Sequence, residues 1–463
     1  MSEVQKVLKR KRKRLIDIIF FLGSIITIMV IWPQEMSDTL PELAGSLILV
    51  ASCYIVLYLF LYHFRPEILD VNRKTFFIVL IIMIFVISTR VVVSFYDEAI
   101  LFLIPFAIIP IIITTFYDAR LALFILIVTI MMAGFIVPDP FKFVFMNFIS
   151  GVVAIFSITN IYRRARLFFV AFVVVLSYSV IYFALGMIDS ESIPIINWTD
   201  YKWFAGNGLM VLLCYPFILL FEKKFYFLSD STLLELADTN TPLLLRLAEE
   251  APGSFQHSRQ VANLAEEGAR AIGANILLTR AGALYHDVGK VINSGYFIEN
   301  QKDGNSPHSD LDPVESSKII INHVNEGLII ARKYKLPVQI IDFIKTHHGT
   351  TKVYYFYKKY IENNKLKEDM EKVFIYPGPK PFSKETAIVM MADAVEASSR
   401  TLDKYTDFAI SELVERIFII QEQDDQLSDA PLTFKDISDI KNVFKKRLIN
   451  IYHTRIAYPE RES

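Results

Sequence analysis

The placement of apolar residues most constrains what this chain can become. Before about residue 225 they gather into eight nearly uncharged runs, at approximately 15–32, 41–63, 75–96, 99–116, 119–137, 141–161, 167–188 and 203–221. A helix needs ~20 apolar residues to cross the hydrocarbon core of a bilayer. Inside lipid the backbone must satisfy its own hydrogen bonds, which restricts such runs to helices or closed barrels. Their length and lack of alternation select helices. The pair 99–137, with Pro105 and Pro110 inside, is the least regular. Overall 53% of the 463 residues are hydrophobic, above the ~45–50% of a soluble globule.

Basic residues in the joints give the orientation. KRKRKR at 9–14 precedes the first run, and HFRPEILDVNRK (63–74), YDAR (117–120), YRRAR (162–166) and EKK (222–224) fall on the same side. The opposite joints PQEMSDTLPE (33–42), YDE (96–98), VPDPFK (137–142) and DSESIPIINWTDYK (189–202) carry only Lys142 and Lys202. The expectation is a multi-pass protein of the cell membrane, with its N-terminus and its second half in the cytoplasm. The first run has a basic flank but no small-residue cleavage site before Trp32 and Pro33, so it reads as an anchor rather than a removed signal. Arg90, deep in the third run, reads as a side chain snorkelling towards the outer interface.

Beyond about 225 the composition turns mixed. Apolar residues recur at helical spacing in LLELADTNTPLLLRLAEEA, SRQVANLAEEGARAI, ESSKIIINHVNEGLIIARKY, VQIIDFIKTHH and KETAIVMMADAVEASSR, separated by breakers such as Pro252-Gly253 and YPGPKP (376–381). The expected organisation is all-α: a basic N-terminus (1–14), about eight transmembrane helices (15–221), a helical linker (222–240) and a helical cytoplasmic domain (241–458). Net charge is −1, so no global field draws a nucleic-acid polymer. Cys53 and Cys214 lie inside apolar runs, which excludes a disulfide framework and a thiolate metal site. KVYYFYKKY (352–360) mixes aromatics and lysines, and its tyrosines read as packing residues rather than a base-stacking platform.

The chemistry concentrates in one stretch. Six of the eight histidines lie between 257 and 348. His257, His286-Asp287, His323, His347-His348 and the later Asp393 sit on or beside apolar helical faces, where an unpaired polar group is penalised. Adjacent residues on a helix diverge by ~100°, so His286-Asp287 and His347-His348 suit either a helix end or two ions side by side. Five imidazoles and two carboxylates exceed the needs of one ion and divide between two, with an aspartate bridging. Paired ions ~3.5–4 Å apart are the arrangement used to hydrolyse phosphoesters. Imidazole-rich, thiolate-free ligation suits iron or manganese, and also zinc.

These residues resemble the H…HD…D signature of HD-domain phosphohydrolases. EEAPGSFQHS, HDVGK, HVNEG, THHGT, YPGPKPFSKETAIVMMADAVEASSR and IYHTRIAYP resemble, more closely, the membrane HD phosphodiesterases with a seven-helix bundle, enzymes that cleave cyclic di-AMP. That resemblance implies hydrolysis of cyclic di-AMP to linear 5′-pApA. It assigns His257, His286, Asp287 and Asp393 to a first divalent metal, and His323, His347 and His348 to a second, bridged by Asp287. Lys290 would contact the substrate phosphate, and His308, in GNSPHSDLDP, lies in a loop that could cover the substrate. The substrate and the lipid bilayer are the expected partners, with homo-oligomerisation left open. The relatives carry a large extracellular domain where this chain has the joint 33–42. GTTKVYYFY after His347-His348 departs from the ExxDGxGYP run of the cyclic di-GMP enzymes. Two other readings stay open at this point: an HD phosphohydrolase for another nucleotide, and a membrane nucleotide receptor with a non-catalytic HD domain.

Overall fold

The structure, a computed structural model, describes residues 3–32, 39–158, 166–190, 198–301, 306–363 and 368–453. The joints 33–42, 162–166 and 189–202 and the terminal IYHTRIAYP lie wholly or partly outside these residues. The elements among the described residues are helices, and the only strand-like feature among them is an isolated bridge between Lys352 and Ile375. It divides into two compact units, Met1–Ser229 and Asp230–Ser463.

In the first unit helices carry most of the described part of each apolar run. Six segments are long and apolar enough to cross a membrane: Leu40–Phe64, Asn72–Phe95, Glu98–Phe116, Pro140–Ser157, Arg166–Ile188 and Trp198–Phe225. The run expected at 119–137 gives a shorter apolar helix, Ala119–Gly134, and the first run lies within Glu3–Val30. Large apolar side chains such as Phe168, Phe172 and Val180 point outward and are more than half exposed, the pattern of a surface solvated by lipid rather than water. This is a multi-pass membrane protein.

Polar residues in this unit sit where the backbone needs them. Thr39 and Glu42 form a capping box at the start of Leu40–Phe64. Asp118 caps Ala119–Gly134 and pairs with Arg65. Pro105 lacks a backbone N–H and disfavours helix in the residue before it, so the 99–116 run splits into a 3-10 segment, Glu98–Leu103, and a helix, Ile108–Phe116. Carbonyls freed by that break are recovered by Asn207, whose Nδ2 donates to Phe102 O (2.8 Å) and Ile104 O (3.1 Å), as lipid requires. The Arg90 guanidinium donates to Ile31 O at 2.9 Å. It satisfies a carbonyl just beyond the end of Glu3–Val30 rather than simply reaching for water.

The second unit starts with two helices where one periodic run was expected. Asp230–Ala237 and Pro242–Glu250 are separated at Asp238–Thr241, where Pro242 takes the first helical position. The segment expected as one helical linker, 222–240, is likewise interrupted, because Tyr226 adopts a left-handed conformation (φ 55°) that ends Cys214–Phe225. At the core lies Lys384–Ser399. A capping box of Ser383 and Thr386 starts it, and residues from Thr386 to Ser399 bury most of their side chains. Pro252–Ala271, with Val261, Leu264 and Ala265 buried, packs on it, and Ile276–Tyr285, Pro313–Lys333 and Val338–Thr346 complete the shell around the site.

Candidate metal and active site

Helix ends bring the adjacent pairs into one place. Ile276–Tyr285 stops at His286, and Asp287 turns out of helical geometry (φ −106°) into the 3-10 turn Val288–Val291. Val338–Thr346 stops at His347, and Gly349 follows with a positive φ of 52°. Chain direction therefore changes at each pair, so both members of each reach the same cage. His257, His323 and Asp393 enter from within their helices.

All seven residues meet. Ligand atoms of Asp287, His323, His347 and His348 lie within 4.8 Å of one another, as do those of His257, His286 and Asp393. The two carboxylate oxygens of Asp287 divide between these sets. Oδ2 lies 3.2 Å from His286 Nε2 and 3.7 Å from His257 Nε2, while Oδ1 lies 3.5 Å from His323 Nε2 and 3.6 Å from His347 Nε2. Bonds of ~2.0–2.2 Å to one ion place neighbouring ligand atoms ~3–3.5 Å apart, which is close to these spacings.

The imidazoles are preset as ligands. Nδ1 of His286 faces Ala283 O at 2.6 Å, that of His323 faces Ile320 O at 2.6 Å, and that of His347 faces Ile344 O at 3.0 Å. A carbonyl only accepts, so each Nδ1 carries a proton and each Nε2 points into the cage, with a lone pair to offer on the neutral His323 and His347. His286 Nε2 and both oxygens of Asp287 are buried with no hydrogen-bond partner. Groups like these cost ~1–3 kcal/mol each when left unmatched, so the cage fits cations and is poorly satisfied by protein alone.

Protonation follows the same logic. Burial disfavours charge on Asp287, but Lys290 and His286 beside it hold its carboxyl well below the usual carboxylate range. Asp393 is held down against burial by the hydrogen bond from His257 (2.8 Å) and the nearby ring of His286. Burial also opposes charge on His286, yet Asp287 raises it to about 10. His348 goes the other way, pushed down to about 3 by burial, with only partial compensation from Asp393. Two firmly ionised carboxylates in a buried site call for positive charge, and the neutral His323, His347 and His348 leave lone pairs to bind it.

Beside the cage opens a cavity of about 570 Å³, lined in part by Lys290, Ile298, His348, Met390, Ala397 and Arg400. Lys290 Nζ lies 2.7 Å from Asp287 Oδ2, outside hydrogen-bond alignment, and donates to Glu299 Oε1 at 2.8 Å. It sits between two carboxylates while facing the cavity. Replacing Lys290 with Gln should leave both carboxylates without their cation, at a cost of about 3 kcal/mol, seen as a lower melting midpoint of the metal-free chain.

His308 is not at this cavity. It is 8% exposed, its Nε2 meets Tyr296 O at 3.0 Å, and its ring packs on Tyr296 and Phe356. The substrate-covering expectation finds no support here: an imidazole between two aromatic rings fastens the 307–310 turn to its neighbours. His308→Ala should cost about 1–2 kcal/mol of stability and leave turnover at saturating substrate unchanged. Of the tyrosines of 352–360, Tyr357 and Tyr360 pack against Phe374 as expected, whereas Tyr354 and Tyr355 are exposed.

Two acidic residues at the site escaped sequence reasoning. Glu396 is 7% exposed and meets His257 Nδ1 at 2.5 Å. Its spacing of three from Asp393 on one helix was a usable signal. Glu299 lies in a short turn and also accepts from Ser254 Oγ at 2.9 Å. Nothing in its local sequence separates it from an ordinary solvated glutamate.

Comparison with known proteins follows the same division. Residues 40–229 match the family described as 7TM receptor with intracellular HD hydrolase, and residues 254–398 match the HD domain. Cyclic-di-AMP phosphodiesterase PgpH of Bacillus subtilis (strain 168) is 44% identical over 257 residues, covering 56% of this chain and 35% of the relative. Its namesake in Listeria monocytogenes serotype 1/2a is 36% identical over 315 residues, covering 67% of this chain and 44% of the relative. The chain thus spans less than half the length of these curated relatives. The crystal structure of the L. monocytogenes PgpH HD domain in complex with cyclic-di-AMP is 41% identical and covers 46% of this chain and 100% of that one, with a TM-score of 0.45.

Proposed function

Because the chain belongs to the family of 7TM receptors with an intracellular HD hydrolase, we propose that it is a membrane-anchored, metal-dependent phosphodiesterase hydrolysing cyclic di-AMP to linear 5′-pApA. The observation that carries this reading is Asp287, a buried carboxylate whose two oxygens each face a separate pair of imidazoles. His257, His286, Asp287 and Asp393 would hold one divalent cation, and Asp287, His323, His347 and His348 a second, iron or manganese before zinc. Such a pair supplies Lewis acidity and a water that ionises near neutral pH.

The chain's own residues do the rest. The cavity has a volume within the range of small-ligand sites, ~300–1,000 Å³, and places a phosphodiester beside the cage. Lys290, charged and fixed between Asp287 and Glu299, offsets negative charge that grows on the non-bridging oxygens as hydroxide attacks phosphorus and the ribose 3′-oxygen leaves. The backbone carbonyls behind His286, His323 and His347 keep those rings from turning, so the site is organised before substrate arrives. The basic joints support a cytoplasmic N-terminus and HD domain, with residues 15–221 in lipid, 222–240 linking and 241–458 catalytic.

The substrate assignment is tested by incubating the purified full chain with cyclic di-AMP, cyclic di-GMP, mononucleotides and an alarmone, and identifying products by mass. Cyclic di-AMP should be consumed with 5′-pApA as the first product. Turnover of a mononucleotide with cyclic di-AMP untouched refutes the assignment. Chelation should abolish turnover, and Mn²⁺ should restore it. Because metal binds only the folded chain, adding it at a hundred times its dissociation constant should stabilise the fold by ~2.7 kcal/mol.

A further inference from the structure

The ligand rings are not all held alike. His286, His323 and His347 rest on backbone carbonyls, which are neutral acceptors. His257 instead meets the carboxylate of Glu396, Nδ1 to Oε2 at 2.5 Å, while its Nε2 faces Asp393 Oδ1 at 2.8 Å. The other oxygen of Glu396 accepts from Nε (2.9 Å) and Nη2 (2.6 Å) of Arg400. Arg400 lines the cavity.

Helical spacing makes this chain of contacts possible. Asp393, Glu396 and Arg400 are separated by three and four residues, and Arg400 keeps helical dihedrals (φ −69°, ψ −17°) just past the end of Lys384–Ser399. All three therefore fall on one face, against the helix that carries His257. A carboxylate behind a ligand histidine fixes its tautomer, as a carbonyl does, and also makes the ring a stronger donor. Among the rings described, only His257 has this support, and Glu396 is nine-tenths buried.

We propose that Glu396 is a positioning residue that makes the His257–His286–Asp393 side of the cage the tighter of the two cation positions, and that Arg400 ties this support to the cavity wall. The inference rests on the two-cation reading above. Glu396 acts through His257, and Arg400 acts through Glu396 by holding the carboxylate in place and balancing its charge.

The test is a Mn²⁺ titration of the chelator-stripped full chain in detergent, with free Mn²⁺ read by electron paramagnetic resonance. The wild-type chain should bind two Mn²⁺ in a tighter and a weaker class. Glu396→Gln should weaken the tighter class ~10–100-fold and leave the weaker class in place. Glu396→Asp, which keeps the charge but withdraws it by one methylene, should weaken the same class by less. Arg400→Gln, which leaves the carboxylate on the ring but no longer held, should weaken the tighter class by less than Glu396→Gln does, and an unchanged tighter class overturns the role of Arg400. The melting midpoint of each metal-free variant identifies any that does not fold, and Glu396→Asp then decides for Glu396→Gln. An unchanged tighter class, or equal weakening of both classes, overturns the role of Glu396. A wild-type chain that takes up a single Mn²⁺ overturns the two-cation reading itself, a distinguishable result.

Discussion

Asp287→Ala is expected to reduce cyclic di-AMP turnover by ~10³-fold or more and to leave the purified chain with less than one tightly held metal ion. Both effects have the same origin. Asp287 reaches into both ligand sets, with Oδ2 towards His286 and His257 and Oδ1 towards His323 and His347. Without it, each set loses its shared anion and the remaining imidazoles face one another across the cage. Lewis-acid stabilisation is worth several kcal/mol, and each ~1.4 kcal/mol is tenfold in rate. Metal content measured beside activity separates this result from simple loss of substrate binding. Wild-type metal content and turnover in the variant would refute the bridging role.

Gly289→Ala should be among the most damaging single methyls in the domain. A Cβ at that position would lie 1.8 Å from His323 O and 2.5 Å from Gly327 N, both backbone atoms. Side chains can rotate out of the way, but backbone in Pro313–Lys333 cannot without moving the helix. Ordinary overpacking costs ~1–3 kcal/mol, and a backbone overlap should exceed it. The displaced helix carries His323, so the second ligand set should open together with the fold. We expect a lower melting midpoint and loss of the weaker Mn²⁺ class. The glycine of HDVGK is therefore a packing requirement as much as part of a motif. An Ala variant that melts with the wild-type chain and binds two Mn²⁺ would refute that reading.

Much of the architecture was readable because the signals are long. The membrane-spanning helices and the all-α class follow from runs of many residues, where one misplaced side chain changes little. The metal cluster was readable for a different reason. Histidine is scarce in this chain, and six of eight fall within one stretch, so their grouping stands out against a background of aliphatic residues. What escaped depends on single dihedrals or on partners far along the chain. The left-handed Tyr226 that ends Cys214–Phe225 carries no glycine or proline to mark it. The break before Pro242 was visible as a proline but was absorbed into an apolar period. Glu299 and Glu396 look like surface glutamates until Lys290 and His257 are seen beside them. His308 sits in a loop of turn-forming residues, and its burial comes from Phe356, forty-eight positions further on.

Anomalous diffraction from crystals of the metal-loaded protein would test the two-cation cage most directly. The account predicts two peaks ~3.5–4 Å apart, one on each side of the Asp287 carboxylate, with His257, His286 and Asp393 around the first and His323, His347 and His348 around the second. A single peak, or ions bound away from these seven side chains, would contradict it.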